Sequence, residues 1–393
     1  MTRESGRSFR FDRMELAGSL GDLGTLLPLA VGMIMLNQMN ATSVMVSVGL
    51  FYILAGLYFG VPVAVQPMKV IAAYAITSEM TQLQIVSSGL WMGALVLFLG
   101  ATGLIGVIQR YTPKSTVRGV QLAVGVVLLM KGLELMIGHD PNLAVQTIGP
   151  INTGLLLGAA GLGLTLLLLE NKKLPAALVL IVFGIAAGLL IGKPLDREAF
   201  VWGFHLPAPM PYGWPAWDDL VWVLPIVVLP QLPMTIGNAI ISNTDLTHEY
   251  FPETAGRVTN RSVSISQGLA NLVSFFLGGI PMCHGAGGVA AHYRFGARTT
   301  GSNLYIGGIF LVLALVFGEN IVSVLRLLPL SILGVLLAFA GLQLALMIED
   351  LRDRKSLFVA LFMLGLALAF NLAVAFIAGI ALAYVAKSDK IRV

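Results

Sequence analysis

Charge and cysteine are what this sequence has least of. It holds 24 Lys and Arg and 20 Asp and Glu in 393 residues, 11% in all, where soluble domains average about 25%. That deficit excludes a water-soluble globular protein. Cys283 is the sole cysteine, which excludes intrachain disulfides. The five histidines, His139, His205, His248, His284 and His292, are scattered. They form no metal-ligand cluster, so neither a metal nor another cofactor is expected. Arg3, Arg7, Arg10 and Arg13 lead into an apolar stretch with no small-residue cleavage site, so no removable signal peptide is expected. Little is left for a soluble domain after the last apolar run, and the net charge of +4 reflects membrane anchoring rather than nucleic-acid binding.

What is present is apolar: 57% hydrophobic residues and a mean hydropathy of +0.86. The chain reads as an all-α polytopic membrane protein, and its length allows about fourteen spans of about 20 apolar residues. Apolar runs fall at 15–36, 42–59, 62–78, 86–108, 117–137, 148–169 and 174–192, then at 220–241, 260–278, 281–293, 303–318, 321–347, 356–370 and 371–386. The run at 321–347 is too long for one untilted span and suggests a short interfacial piece. Residues 1–14 form an N-terminal segment, 15–192 a first set of seven spans, 193–219 a Pro- and Trp-rich connection, 220–386 a second set, and 387–393 a tail.

Lys and Arg crowd cytoplasmic loops. With the N-terminus inside, the inner segments hold Arg3, Arg7, Arg10, Arg13, Arg110, Lys114, Arg118, Lys172, Lys173, Arg257, Arg261, Arg294, Arg298, Arg352, Arg354, Lys355, Lys387, Lys390 and Arg392, 19 of the 24 cations. Outer loops keep Lys193 and Arg197, and Lys69, Lys131 and Arg326 lie in or near the membrane. This bias places both termini in the cytoplasm.

The two sets resemble each other. Pro28 and Gly32 match Pro233 and Gly237; Gly60 and Pro62 match Gly279 and Pro281; Gly125 and Gly132 match Gly334 and Gly341, with Glu134 opposite Gln343. Three matches in one order indicate a duplication, and seven spans per copy, an odd number, require the second copy to be inverted. Inverted repeats with broken helices at the midplane are how many secondary transporters build a substrate site.

Two stretches read as such breaks: Gly60-Val61-Pro62-Val63-Ala64-Val65-Gln66-Pro67-Met68-Lys69 and Gly279-Ile280-Pro281-Met282-Cys283-His284-Gly285-Ala286-Gly287-Gly288. Irregular backbone at membrane depth is tolerated only where protein buries it or it lines a wet cavity, so the two should face each other. An exposed helix N-terminus carries roughly +0.5 charge and free N–H groups for an anion. Pro67 suits the first turn of a helix, and Lys69, three residues past Gln66, would share its helix face. A charge at the bilayer centre costs about 2.5 to 3.5 kcal/mol on insertion scales. That makes Lys69 an anion ligand by default, with pairing to Asp22 or Glu134 as the alternative. Asp22 is an ion-coupling candidate, or else a cation partner or helix cap. Thr25, Gln231 and His284 offer neutral donors, each weighed against a packing role. Cys283 beside His284 lacks a partner for catalysis, Lys131 and Glu134 read as an intrahelical pair, and Arg294 and Arg298 as topology anchors.

Gly21-Asp22-Leu23-Gly24-Thr25, Gln66-Pro67-Met68-Lys69, Pro281 to Gly288 and Tyr293-Arg294-Phe295-Gly296-Ala297-Arg298 resemble the signatures of the molybdate transporter family related to sulfate permeases, over essentially the whole chain. The resemblance implies uptake of molybdate, with sulfate or tungstate as competing oxyanions. It also implies seven plus seven inverted spans in core and gate subdomains like those of sulfate and uracil permeases. Carried over by motif, it puts Thr25, Gln66, Lys69, Gln231, His284, Gly285, Ala286 and Gly287 near the anion. The regulatory domain that sulfate permeases usually carry after their last span is not expected here, nor dimerisation through one, although a homodimer of another kind stays open. A sulfate or other small-anion carrier, an intramembrane enzyme and a channel are the competing readings.

Overall fold

The computed structural model describes residues 9–138, 147–148, 151–169, 171, 174–191 and 203–387. Arg3, Arg7, His139, Lys172, Lys173, Lys193, Arg197, Lys390 and Arg392 lie outside the described residues.

The chain is helical. Its first half runs α1 (Arg13–Ser19), α2 (Leu23–Met35), α3 (Ala41–Phe59), β1 (Gln66–Pro67), α4 (Lys69–Thr77), α5 (Gln82–Thr102), α6 (Ile105–Tyr111), α7 (Lys114–Ile137), the short pair β2 (Thr147–Ile148) and β3 (Ile151–Asn152), α8 (Thr153–Leu168) and α9 (Ala176–Leu190). One 34-residue helical rod, Trp217–Tyr250, opens the second half. It is made of α10 (Trp217–Val223), α11 (Leu229–Met234) and α12 (Asn243–Tyr250), joined by π-helical stretches at Leu224–Val228 and Thr235–Ser242. Then come α13 (Asn260–Leu277), β4 (Met282–Cys283), α14 (Ala286–Phe295), α15 (Gly301–Phe317), α16 (Ile321–Leu325), α17 (Leu330–Ala345), α18 (Arg354–Ala369) and α19 (Leu372–Ala386).

Six helical rods among the described residues are long and apolar enough to cross a membrane, or seven when α1 and α2, bent by 45° at residues 20–22, count as one. Three more apolar helices, α8, α9 and α19, are shorter. Full-length helices are thus fewer than fourteen. The physical reason is plain at the breaks: α4 and α14 are half-helices of 9 and 10 residues, and extended chain makes up the rest. The long run at 321–347 divides into α16, which ends the rod Gly301–Leu325, and α17.

Local chemistry sets the ends. Asn40 accepts from the Ser43 amide at 2.8 Å to start α3, and the Thr81–Gln84 capping box starts α5. The helices that run into the breaks both end on a left-handed glycine, Gly60 (φ 76°) after α3 and Gly278 (φ 69°) after α13, a conformation glycine enters without steric cost. The second of these lies one residue ahead of the Gly279 that sequence matching pairs with Gly60.

Packing brings the halves together. Helix α7 lies against α17, α5 against α13, α3 against α15, α18 against α7 and α17 against α8. The breaks occupy the centre: residues 61–68 and 279–286 are all buried.

Candidate functional site

The two breaks pair directly. Strands β1 and β4 run antiparallel, with Gln66 opposite Cys283 and Pro67 opposite Met282, and the Met68 amide donates to the Pro281 carbonyl at 2.9 Å. Buried backbone polar groups need partners, and here side chains supply those the ladder does not. Asn271 of α13 takes both sides of Met282, its amide donating to the carbonyl (2.7 Å) and its oxygen accepting from the N–H (2.8 Å). Asn303 of α15 does the same for Val63, at 2.8 and 3.0 Å. The Tyr52 hydroxyl donates to Val65 O at 3.1 Å and the Ser274 hydroxyl to Ile280 O at 2.8 Å.

His284 belongs to this same set. A carbonyl only accepts, so the contact of Nδ1 with Ala64 O (2.7 Å) makes Nδ1 the donor. The other nitrogen meets the Ser266 hydroxyl at 3.1 Å. The ring is fully buried, with Phe51 and Phe59 centroids 4.6 and 5.7 Å away. Expected at the mouth of the second break as an oxyanion donor, His284 instead has both nitrogens committed to protein.

Beside the paired strands lies a cavity of about 360 Å³. Helix α2 contributes Thr25 and its N-cap residue Asp22, α4 contributes Lys69, α14 contributes Gly287, Ala291 and Arg294, α7 contributes Leu128, and α17 contributes Phe339, Ala340 and Gln343. Leu168, Leu169, Asn171, Leu174 and Pro175 also line it. Four of the nine residues expected at the site therefore line one space: Asp22, Thr25, Lys69 and Gly287. The half-helices α4 and α14 both begin at its wall. Glu134 pairs with Lys131 at 3.5 Å and Asp22 with Gln66, so neither carboxylate locks Lys69 in an ion pair. Arg294, expected as a topology anchor, is also in the wall, as is Gln343.

Gln66 stands one layer behind. Its amide donates to Asp22 Oδ1 at 2.6 Å, which leaves Asp22 Oδ2 buried with no hydrogen-bond partner. Gln66 does not share a helix face with Lys69, because residues 66 and 67 are extended to pair with β4. For the same reason Pro67 precedes the helix rather than sitting in its first turn; Met68 is the cap residue of α4. Gln231 also faces protein: its oxygen caps the Val70 amide of α4 at 2.9 Å and its nitrogen donates to Thr235 Oγ1 at 2.9 Å.

The glycines of the second break have separate tasks. A Cβ on Gly285 would run into the Gln66 side-chain amide, and one on Gly288 would meet Asp22 Oδ2 at 2.5 Å. A Cβ on Gly287 would enter open space, at the one exposed position in the first turn of α14. Ala286 and Gly285 are buried and do not line the cavity. Sequence reasoning missed Asn271, Asn303, Ser266 and Gln343. Buried amides on apolar helices were the available signal for the two asparagines.

Comparison with known proteins agrees with this architecture. The family model described as molybdate transporter of the MFS superfamily matches residues 14–128 and 225–344, more than half of the chain. Molybdate transporter 2 of Arabidopsis thaliana is 31% identical over 88% of this chain and 81% of its own length; molybdate transporter 1 of the same plant is 30% identical over 94% and 87%. Among solved structures, the transmembrane domain of the cyanobacterial bicarbonate transporter BicA superposes with a TM-score of 0.67 at 20% identity, covering 96% of this chain and 98% of that one. Murine Slc26a9, an anion transporter in its inward-facing state, gives 0.69 at 15% identity over 96% and 68%. These structures speak for the fold alone, a helical membrane fold, and the named relatives are transporters rather than enzymes. The chain belongs to the molybdate transporter family.

Proposed function

We propose that this protein is a secondary active transporter that takes up molybdate by alternating access, with the anion held in the cavity between the N-termini of α4 and α14. One observation carries the reading: the β1–β4 pairing brings two half-helix N-termini to one cavity beside an ammonium, Lys69, that makes no direct ion pair among the described residues. Molybdate is a tetrahedral dianion that only accepts hydrogen bonds. Lys69 and Arg294 supply charge, Thr25 and Gln343 neutral donors, and the first turn of α14 at Gly287 bare backbone N–H groups. Gln66, Gln231, His284, Gly285 and Ala286 hold the half-helices in place rather than touch the anion. Sulfate and tungstate, of the same shape and charge, are the competing ligands.

Asp22 is the coupling group in this reading. An ionised carboxylate beside a bound dianion is repulsive, so protonation of Asp22 and anion binding favour each other. Fourteen spans follow when α1 with α2, each break with its half-helix, and the shorter helices α8, α9, α18 and α19 are each taken as one. An inverted repeat is supported by the crossing of α7 and α17. A Cβ on Gly125 would meet Gly341 O and one on Gly132 would meet Gly334 O, both at 2.5 Å, so the matched glycines meet crosswise as a two-fold relation demands. By the distribution of Lys and Arg, both termini are cytoplasmic and the cavity opens inward past Arg294.

The test is molybdate binding and uptake with purified protein in proteoliposomes. Wild type should bind molybdate, and Lys69→Ala should weaken binding while Arg352→Ala, at an exposed turn, should not. Equal binding by both variants would remove the site, and tighter binding of sulfate than molybdate would reassign the substrate.

A further inference from the structure

A second cavity, a groove of about 540 Å³, runs between α3 and α13. Phe51, Leu54 and Tyr58 form one wall, and Ile265, Leu269 and Val273 the other. Leu54, Tyr58, Leu269 and Val273 are each at least half exposed. The trough therefore opens on the outer surface of the protein, not on its interior. It is polar at one end, where Thr259, Arg261 and Ser262 close it. Arg261 is exposed and makes no ion pair among the described residues. Arg257 reaches the same end, its guanidinium donating to the Tyr58 carbonyl at 3.2 Å. No Asp or Glu lines the groove.

We propose that this groove is a binding site for an acidic phospholipid, one acyl chain lying in the trough and the headgroup phosphate on Arg261. The apolar walls call for an apolar occupant. The two guanidinium groups at one end, with no carboxylate opposite, select an anionic headgroup over a zwitterionic one, whose own cation finds no partner there. The floor of the groove gives the site a consequence: Phe51 and Ser266, both in its lining, are the residues that pack on and hydrogen-bond His284. His284 in turn holds the Ala64 carbonyl of the first break. A lipid that fills the groove fixes the His284 cage and, through it, the pairing of the two breaks.

The experiment is lipid retention. Protein reconstituted in equal amounts of phosphatidylglycerol and phosphatidylcholine is re-extracted in mild detergent, and its bound lipid is measured by native mass spectrometry. Wild type is expected to retain about one phosphatidylglycerol per chain, at least fivefold over phosphatidylcholine. Arg261→Gln should erase the preference and Arg261→Lys should keep it. Ala270→Phe, which fills the trough, should lose both lipids, and Leu54→Ser serves as a second groove variant should the larger side chain impair folding. Equal retention of the two lipids by wild type overturns the proposal, as does a preference that survives Arg261→Gln. A dimer that Ala270→Phe converts to monomer with no change in bound lipid assigns the groove to a second copy and overturns it too.

Discussion

The two breaks do the same architectural task with different chemistry. The first is built on prolines and keeps its side chains: Pro62 and Pro67 hold it extended, Gln66 reaches Asp22, and Lys69 points a charge into the cavity. The second is built on glycines and offers backbone. Its half-helix begins beneath Gly285, Gly287 and Gly288, and nothing covers Gly287. Their helix ends differ as well, since the α4 N-terminus is partly capped by Gln231 while α14 has no side-chain cap. At its helix start the first break thus presents a full charge and the second presents dipole and close approach, the charge of Arg294 lying at the far end of α14. The two breaks can differ in this way because the pairing of β1 with β4 depends on backbone, which either chemistry permits.

The sharpest way to break this comparison is to give the second break a side chain. Gly288→Val would drive methyls into Asp22 and Ala64, and overpacking a closed site costs about 1 to 3 kcal/mol. Transport should be lost, on the order of a hundredfold in initial uptake rate at fixed protein. Gly287→Ala, one residue away in open space, should stay within about twofold, because no neighbour has to move. Loss of transport in both variants, measured side by side, would mean that α14 needs bare backbone throughout.

Next in size is the charge of the first break. Lys69→Ala removes a charge-assisted bond worth about 1.5 to 3 kcal/mol, so molybdate affinity by calorimetry should fall roughly ten- to a hundredfold. Lys69→Arg should recover part of it. If charge can instead be supplied from the other break, Lys69→Ala combined with Gly287→Lys will bind as well as wild type, and the division of labour is wrong.

The two asparagine clamps should be alike where the breaks are not. Asn271→Ala and Asn303→Ala each strand a buried N–H and C=O, at about 1 to 3 kcal/mol apiece. Each should lower the thermal midpoint by a few degrees, by about the same amount. A drop at one position and none at the other would show that only one break is held by its neighbour.

Much of this was legible in the chain. Composition showed a membrane protein, and proline and glycine in apolar runs marked both breaks; Lys69 stood out because charge at that depth is costly. What was not legible is which way each side chain turns. Gln66 and Lys69 look like neighbours on one helix until β4, more than 200 residues away, draws Gln66 into a strand. His284 looks exposed among glycines until the Ala64 carbonyl, itself orphaned by the first break, claims its Nδ1. Gln343 and Arg294 carry no local signal, since only the packing of α17 and α14 around the cavity brings them to its wall.

The smallest effect expected on anion binding is the most informative about coupling. Asp22→Asn keeps the size of the side chain and its oxygen for the Gln66 amide, and removes only the charge that titrates. Wild-type uptake should rise as pH falls, because protonating Asp22 removes repulsion between its carboxylate and the dianion. The asparagine variant mimics the protonated form at every pH. Its molybdate affinity at neutral pH should therefore match or slightly exceed that of wild type, within about threefold, while the pH dependence of binding flattens. Uptake driven by an inward proton gradient should fall to the level seen without the gradient. A variant that binds less molybdate yet keeps the wild-type pH slope would place the coupling proton elsewhere and leave Asp22 as a fixed partner of Gln66.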